Sequence, residues 1–420
     1  MLDLRLIRED GDGVRAALAR RGPDAVQALE QVLALDERWR AANTSAESLR
    51  AEQKAHSENV AAGKRAGRDV SDELAELKDT SAEVKALTEQ ARLAQERLQG
   101  VLATLPNLPE GDAADEDTEL RTVGTPRELG FAPRDHLELA GARVDMRAGA
   151  RLSGSRFAYL RGELVLLELA LVRWVLDRLM AEGFEPVVPP VLVRERALYG
   201  TGFLPDTEQQ IYALPADELF LVGTSEVALA SLHDGEILAA EQLPLRYAGF
   251  SSCFRREAGA AGRDTRGIFR VHQFDKVEMF CFVEPDRSRE EHERLLAIEE
   301  GILAALELPY RVVNIAVGDL GNSAAKKYDC EAWLPSQRRY RELTSCSNTT
   351  DYQARRLDIR MRREKRTATP HTLNGTAVAV GRTIIALLEN GQLQDGSVQL
   401  PACLHDYGVG PVLASAVSPT

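Results

Sequence analysis

Between Pro23 and Leu98 the chain is rich in Ala, Glu, Leu, Gln and Arg and contains no second proline. Residues of this kind lose little side-chain freedom in a helix, so the stretch has a strong local preference for one. Apolar positions recur near a 3.5-residue period at Leu29, Val32, Trp39, Ala42 and Leu49, and again at Leu74, Leu77, Val84, Leu87, Ala91 and Leu98. The spacing predicts two long helices. Between them, Gly63 and Gly67 permit a turn, and Asp69 or Ser71 can cap the helix that follows. The expected product is an antiparallel hairpin over about 25–98. Its seam is narrow and Ala-rich, so most of the arm should face solvent rather than join a globular core.

Charge gives the arm a direction. The chain carries a net charge of -13, which argues against polyanion binding as a whole-surface property. Local distribution decides the matter instead. Lys54, Lys64, Arg65 and Arg68 face only Glu58 in the run that they span, at the far end of the hairpin. A second basic run holds Arg355, Arg356, Arg360, Arg362, Arg363, Lys365 and Arg366. A long arm of this type reads either as a dimerisation or adaptor coiled coil or as a reach toward a polyanion.

At 420 residues, 44% hydrophobic and 28% charged, the chain has room for a catalytic domain and one further module. Charges run through the first ten residues, unlike the apolar core of a signal peptide. The greasy run Leu164–Leu176 is broken by Glu168 and Arg173 and is too short to span a bilayer, so a cytoplasmic protein without a membrane partner is expected. Cys253, Cys281, Cys330, Cys346 and Cys403 lie far apart with no Cys-x-x-Cys spacing, and no histidine sits at metal-ligand spacing. Buried free thiols, with no zinc, are expected.

A polar, proline-marked linker begins at Leu105-Pro106 and leads into the second module by about residue 136. There Phe254-Arg255-Arg256-Glu257 is followed by Arg270-Val271-His272-Gln273-Phe274 and by Glu278, within apolar runs that read as a strand pair. Residues i and i+2 of a strand share a face, so Arg255 and Glu257 are expected in one pocket, and Arg256 on the other side. A guanidinium suits phosphate or carboxylate, and a ring at Phe274 could stack a purine for roughly 1–3 kcal/mol. A solvated strand face is the plainer alternative. Gly223-Thr224-Ser225-Glu226 offers acceptors for an ammonium, or simply caps a helix. Glu278 lies in an otherwise apolar run, where a carboxylate is costly unless a cation or donor meets it.

The longer pattern, Phe-Arg-x-Glu, a loop, then Arg-x-x-x-Phe, resembles motif 2 of the class II aminoacyl-tRNA synthetases, over about 250–282. The surrounding words resemble the seryl-tRNA synthetase family from Met1 to about Pro411. The helical pattern leading to Gly183-Phe184-Glu185-Pro186 resembles motif 1, about 165–190, and His371-Thr372-Leu373-Asn374-Gly375-Thr376 through Gly381-Arg382 resembles motif 3, about 371–388.

The resemblance implies an α+β fold: an antiparallel sheet flanked by helices, with an amino-terminal antiparallel helical-hairpin arm. It implies a tRNA-binding domain at 1–105, a linker and domain entry at 106–135, and a catalytic domain at 136–420. The implied reaction is activation of L-serine with ATP to seryl-adenylate and transfer to tRNA(Ser), with tRNA(Sec) where present. Arg255, Arg270 and Arg382 would be catalytic. Thr224, Ser225, Glu226, Arg255, Glu278, Asn374 and Thr376 would hold serine. Arg255, Arg256, Glu257, Arg270, Val271, Phe274, Glu342, Leu343, Thr344, Ser345 and Arg382 would bind ATP. Glu342 and Ser345 would take Mg²⁺ with the nucleotide, and Arg341 is a further pocket cation. Lys54, Lys64, Arg65 and Arg68 would meet tRNA, and a homodimer would bind it across subunits. Two other readings are an amino-acid:carrier-protein ligase of the same fold and a nonenzymatic RNA-binding coiled-coil adaptor.

Overall fold

The computed structural model describes residues 1–205, 210–258, 264 and 266–416. Two compact units result, residues 2–106 and the chain from Asn107 onwards together with Met1.

In the first unit, helix α1 spans Pro23–Arg65 and helix α2 spans Ser71–Leu102. Pro23 occupies the first turn of α1, where its missing N–H costs nothing. At the far end Gly67 takes φ +72° and the Arg68 N–H donates to the Gly63 carbonyl at 3.0 Å, closing the turn. A side chain at Gly63 would sit 2.8 Å from Val70 Cγ1, so glycine lets the turn fold onto the helix. Asp69 then accepts from the Ser71 N–H at 3.0 Å and from its hydroxyl at 2.6 Å. Along α2 the inward positions step by fours and threes through Leu77, Thr80, Val84, Leu87, Ala91, Ala94 and Leu98. Extending that register backwards lands on Glu73, which leaves Leu74 39% exposed, off the seam where the sequence periodicity places it.

Asp36 is buried in this unit among neighbours from two helices. Arg8 donates to it at 2.6 and 3.0 Å, and Arg40 donates at 3.0 Å. Burial alone would raise its pKa, yet these guanidinium contacts hold the carboxyl below its ordinary value.

The second unit is built on an eight-stranded sheet: β1 Thr118–Val123, β2 Glu185–Val187, β3 Leu245–Phe254, β4 Gln273–Val283, β5 Tyr310–Asn314, β6 Lys326–Leu334, β7 Arg339–Thr350 and β8 His371–Ala379. The order is β1-β5-β6-β7-β8-β4-β3-β2, antiparallel throughout except for the parallel β2/β3 edge. Helices α3 (Glu163–Ala181), α4 (Ser288–Ala305) and α5 (Val380–Gly391) supply the apolar cover. Leu167 and Leu171, Leu295 and Ile302, and Ile384 and Leu388 join Val277, Met279 and Cys281 of β4 and Leu373 of β8 in one core. Gly375 of β8 makes that closeness workable, because a Cβ there would lie 3.1 Å from Cys346, Met279 and Glu299 alike. The cysteines are free, and all but Cys403 are buried. No helix among the described residues is long and apolar enough to cross a membrane.

Replacing Asp36 with alanine should lower the stability of the arm by about 1.5–3 kcal/mol at neutral pH, the range for hydrogen bonds to charged groups. Because the folded pKa is depressed, the contribution is present above the unfolded value and disappears as pH falls through the folded one. Hydrogen exchange of the α1 amides should therefore show a gap between the two proteins that narrows below about pH 4. A gap that stays constant with pH would point to packing rather than charge.

Candidate active site

Strand β4 sends alternate residues to opposite faces. Val277, Met279, Cys281 and Val283 enter the helix-covered core, whereas Phe274, Lys276 and Glu278 line a cavity of about 330 Å³ on the other face. Strands β6, β7 and β8, the segment following β3, the start of α5 and loop residues that include Phe203, Thr224 and Ser323 form the rest of the wall.

Two buried carboxyl groups line the cavity. Glu278 is ion-paired with Lys276, and both are buried. Glu226 opens the short helix Glu226–Ala230, and Thr224 Oγ1 accepts from its backbone N–H at 3.2 Å. The N-cap itself is Ser225, which makes no side-chain cap bond, so the turn is held by Thr224 instead. Glu226 Oε1 accepts from Gln353 Nε2 at 2.7 Å and from Asn374 Nδ2 at 2.9 Å. Burial, aided by the charge on Glu278, pushes the Glu226 carboxyl up to about 7.

Cations line the wall beyond. The Arg255 Nε–H donates to the Gly223 carbonyl at 3.1 Å, and its guanidinium lies 5.3 Å from the Phe274 ring centroid. Arg270 pairs with Glu257 at 2.5 Å. Arg382 donates to the Glu342 carbonyl at 3.0 Å and lies 3.4 Å from its carboxylate. Lys327 completes the set, 2.9 Å from Asp329. Desolvation works against charge on Glu342, but Arg382, Lys327 and Arg255 hold its carboxyl below the ordinary value.

Several expected placements need correction. Strand β3 ends at Phe254, so Arg255 and Glu257 do not share a strand face. The Arg255 N–H extends the ladder once more, to the His272 carbonyl at 2.9 Å, and the Arg256 N–H then pairs with the Gln210 carbonyl at 3.0 Å. Glu257 adopts φ +51°, and that left-handed turn brings its carboxylate back to Arg270. Arg256 is exposed and outside the cavity lining. Ser225 is fully buried with its hydroxyl on the Gly249 carbonyl, also outside the lining.

On β7, a bulge at Leu343 shifts the register between Thr344 and Glu342. It puts Glu342 and Ser345 on the cavity side with Leu343, and turns Thr344 inward, where its hydroxyl donates to buried Glu299 at 2.9 Å. Arg341 stands behind the wall, paired with Asp264 at 2.8 Å and 3.9 Å from the Phe269 ring. The structure thus brings Thr224, Glu226, Arg255, Glu257, Arg270, Val271, Phe274, Glu278, Glu342, Leu343, Ser345, Asn374, Thr376 and Arg382 to one cavity, and leaves Ser225, Arg256 and Thr344 outside it.

Sequence reasoning missed Lys276, Lys327, Phe203 and Phe269 in the lining. Strand alternation from Glu278 could have found Lys276. Phe269, flanked by Arg341 and by Arg382 at 4.7 Å, lies in a loop without periodicity and gave no signal. The proposed arm contacts Lys54, Lys64, Arg65 and Arg68 are all exposed at or near the hairpin turn, with Arg68 3.5 Å from Glu73. The second basic island divides: Arg356 is buried against Tyr199 and Tyr352, whereas Arg360, Arg362 and Arg363 lie on a small exposed hairpin with Arg366.

Comparison with known proteins agrees along the whole chain. Residues 1–109 match the family model for the seryl-tRNA synthetase N-terminal domain, and residues 212–391 match the tRNA synthetase class II core domain (G, H, P, S and T). A serine--tRNA ligase of Thermobifida fusca is 51% identical over 97% of both chains, and that of Streptomyces coelicolor is likewise 51% identical over 97% of both. Among solved structures, a seryl-tRNA synthetase from Pyrococcus horikoshii complexed with ATP superposes with a TM-score of 0.95 at 39% identity, covering 99% of this chain and 100% of that one. With both its modules and its full length matched, the chain belongs to the seryl-tRNA synthetase family of class II aminoacyl-tRNA synthetases.

Proposed function

We propose that the chain activates L-serine with ATP and transfers the seryl group to tRNA(Ser), and to tRNA(Sec) where that tRNA is present. One observation carries the reading: a single cavity is lined by the carboxyls of Glu226 and Glu278 and by the cations Arg255, Arg270 and Arg382. An amino acid has an ammonium for the first group and a carboxylate for the second. ATP brings further negative charge that only the cations can meet.

In the first step a serine carboxylate oxygen bonds to the α-phosphorus of ATP, and the bond from that phosphorus to the bridging oxygen breaks, releasing pyrophosphate. Arg255 would hold carboxylate and α-phosphate together against their mutual repulsion, with Arg270 and Arg382 meeting the outer phosphates. In the second step a terminal ribose hydroxyl of tRNA attacks the seryl carbonyl and AMP leaves. Asn374, Thr376 and Glu278 would bind the serine hydroxyl, and a site built for such a hydroxyl rejects an analogue lacking it by up to about 10⁴ to 10⁵. Among the described residues no group of three His, Cys, Asp or Glu side chains could hold a metal by itself. The oxygen donors Glu342 and Ser345 still suit Mg²⁺, which takes one or two protein ligands alongside phosphates and water and would offset the charge of the triphosphate.

A homodimer completes the proposal. Helix α3 leaves Val165, Leu166 and Leu169 exposed, and Val188 just beyond β2 is 81% exposed. Apolar groups in that number beside a helix and a sheet edge favour a second copy as cover. Cytoplasmic residence and tRNA binding across the two subunits belong to the same reading.

Arg255→Lys keeps the charge but loses the two-pronged donor, and should cut serine-dependent pyrophosphate exchange by about 10² to 10³. Arg256→Ala, outside the cavity, should change it by no more than about twofold. Equal losses in both would place the reacting groups elsewhere. Neutralising Lys54, Lys64, Arg65 and Arg68 should spare pyrophosphate exchange while lowering the salt slope of tRNA binding, by about 0.7 to 0.9 for each cation in contact. An unchanged slope would remove the arm tip from the tRNA interface.

A further inference from the structure

Gln353 is absent from the cavity wall, yet it grips a residue that forms part of it. It lies on the short helix Tyr352–Arg356 and is fully buried, with both ends of its amide engaged. Nε2 donates to Glu226 Oε1 at 2.7 Å and to the Thr201 carbonyl at 3.3 Å. Oε1 accepts from the Thr372 hydroxyl at 2.9 Å, and the Thr349 oxygen lies 3.3 Å away with its single proton turned to the Thr372 carbonyl. The two threonine hydroxyls also meet each other at 2.6 Å, and Thr349 donates to the Thr372 carbonyl at 2.7 Å. A flipped amide would aim its oxygen at the Glu226 carboxylate and at the Thr201 carbonyl, so the network permits one orientation.

We propose that Gln353 is the positioning residue of the substrate-ammonium site: it fixes Glu226 Oε1 so that Oε2 is presented to the amino group of serine. The inference rests on the reading of Glu226 as a serine-holding residue. Asn374 takes the second donor position on Oε1 at 2.9 Å, which leaves Oε2 for the cavity. Neutral amides matter here for a physical reason. Glu278 already has Lys276 as its counter-ion, whereas a cation bonded directly to Glu226 would spend the charge that an incoming ammonium needs.

The surroundings of Glu226 make the grip measurable. Burial and the neighbouring carboxylate of Glu278 disfavour its charge, while the Gln353 N–H, Lys276 and Arg255 favour it, and the balance stands at about 7. Protonation removes the anionic acceptor, so serine binding should weaken as pH falls through that value. Losing the Gln353 donor raises the folded pKa further and moves this acid limb toward higher pH.

Gln353→Met keeps the side-chain length, removes both polar ends, and leaves the two threonines bonded to each other. Serine-dependent pyrophosphate exchange across pH 5.5 to 9 should show the KM for serine raised about tenfold to a hundredfold, the KM for ATP within about twofold, and the acid limb displaced upward. Gln353→Glu, with the same shape but a second carboxyl beside Glu226, should displace the limb further and guards against a folding failure of the methionine variant. Thermal melts report folding. An unmoved limb and an unchanged serine KM in the folded variants overturn the proposal, as does a parallel rise in both KM values, the mark of general damage. Glu226→Gln separates the two layers. If it leaves the serine KM untouched, the reading of Glu226 fails; if it raises that KM while the Gln353 variants do not, the positioning role alone fails.

Discussion

Strand β4 serves two environments from one backbone, and the rest of the catalytic unit depends on that. Its odd residues, Val277, Met279 and Cys281, lie in the core under α3, α4 and α5, so the strand is held by apolar burial. Its even residues Lys276 and Glu278 then project into the cavity with no freedom to withdraw, since a shift of one residue would exchange the two faces. β8 follows the same rule, with Leu373 inward and Asn374 and Thr376 outward. The polar groups are therefore located by hydrophobic packing that they take no part in.

Placing so much charge in a small cavity is costly unless each group is met. Here Glu278 meets Lys276, Glu257 meets Arg270, Glu342 meets Arg382, and Asp329 meets Lys327. Glu226 differs in kind, because side-chain amides rather than a cation satisfy it. An arrangement whose polar groups are already paired before a ligand enters needs little reorganisation when one does, which is the condition for electrostatic stabilisation of a transition state. The ion pairs also mark what substrates would exchange: ammonium for one sign, carboxylate and phosphate for the other.

The helical arm obeys a different physics, and its legibility in the sequence follows from that. A heptad seam is a local pattern, so two helices and the turn at Gly67 could be read from the sequence, whereas the cap expected of Asp69 or Ser71 falls to Val70, which has no side-chain cap. The phase was harder. Leu74 looks apolar enough to lie inward, but register is set by the whole helix: Leu98, Ala91 and Val84 count back to Leu77, and Ala94, Leu87 and Thr80 count back to Glu73. In the catalytic unit, Phe254-Arg255-Arg256-Glu257 led to the cavity lined by Arg255 and Glu257 through a local geometry that is not there. The strand stops at Phe254, and a left-handed Glu257 achieves by a turn what alternation was expected to provide.

By itself the sequence determined the family, the hairpin and the identity of the charged groups, because these depend on residue type and short-range order. Only the tertiary structure decided which of them meet. Thr344 turns away from the cavity because a bulge at Leu343 resets the alternation of β7, and no property of Thr344 announces it. Lys327, Phe269 and Gln353 come to the site, or to a residue that forms it, from segments far apart in the chain. Pairing across a sheet fixes register through contacts between distant strands, and burial fixes protonation through neighbours from every side. A carboxyl such as Glu226 can be named from its tripeptide, but its pKa near 7 and the two amide donors on its Oε1 exist only once β4, β8 and the Gln353 helix have closed around it.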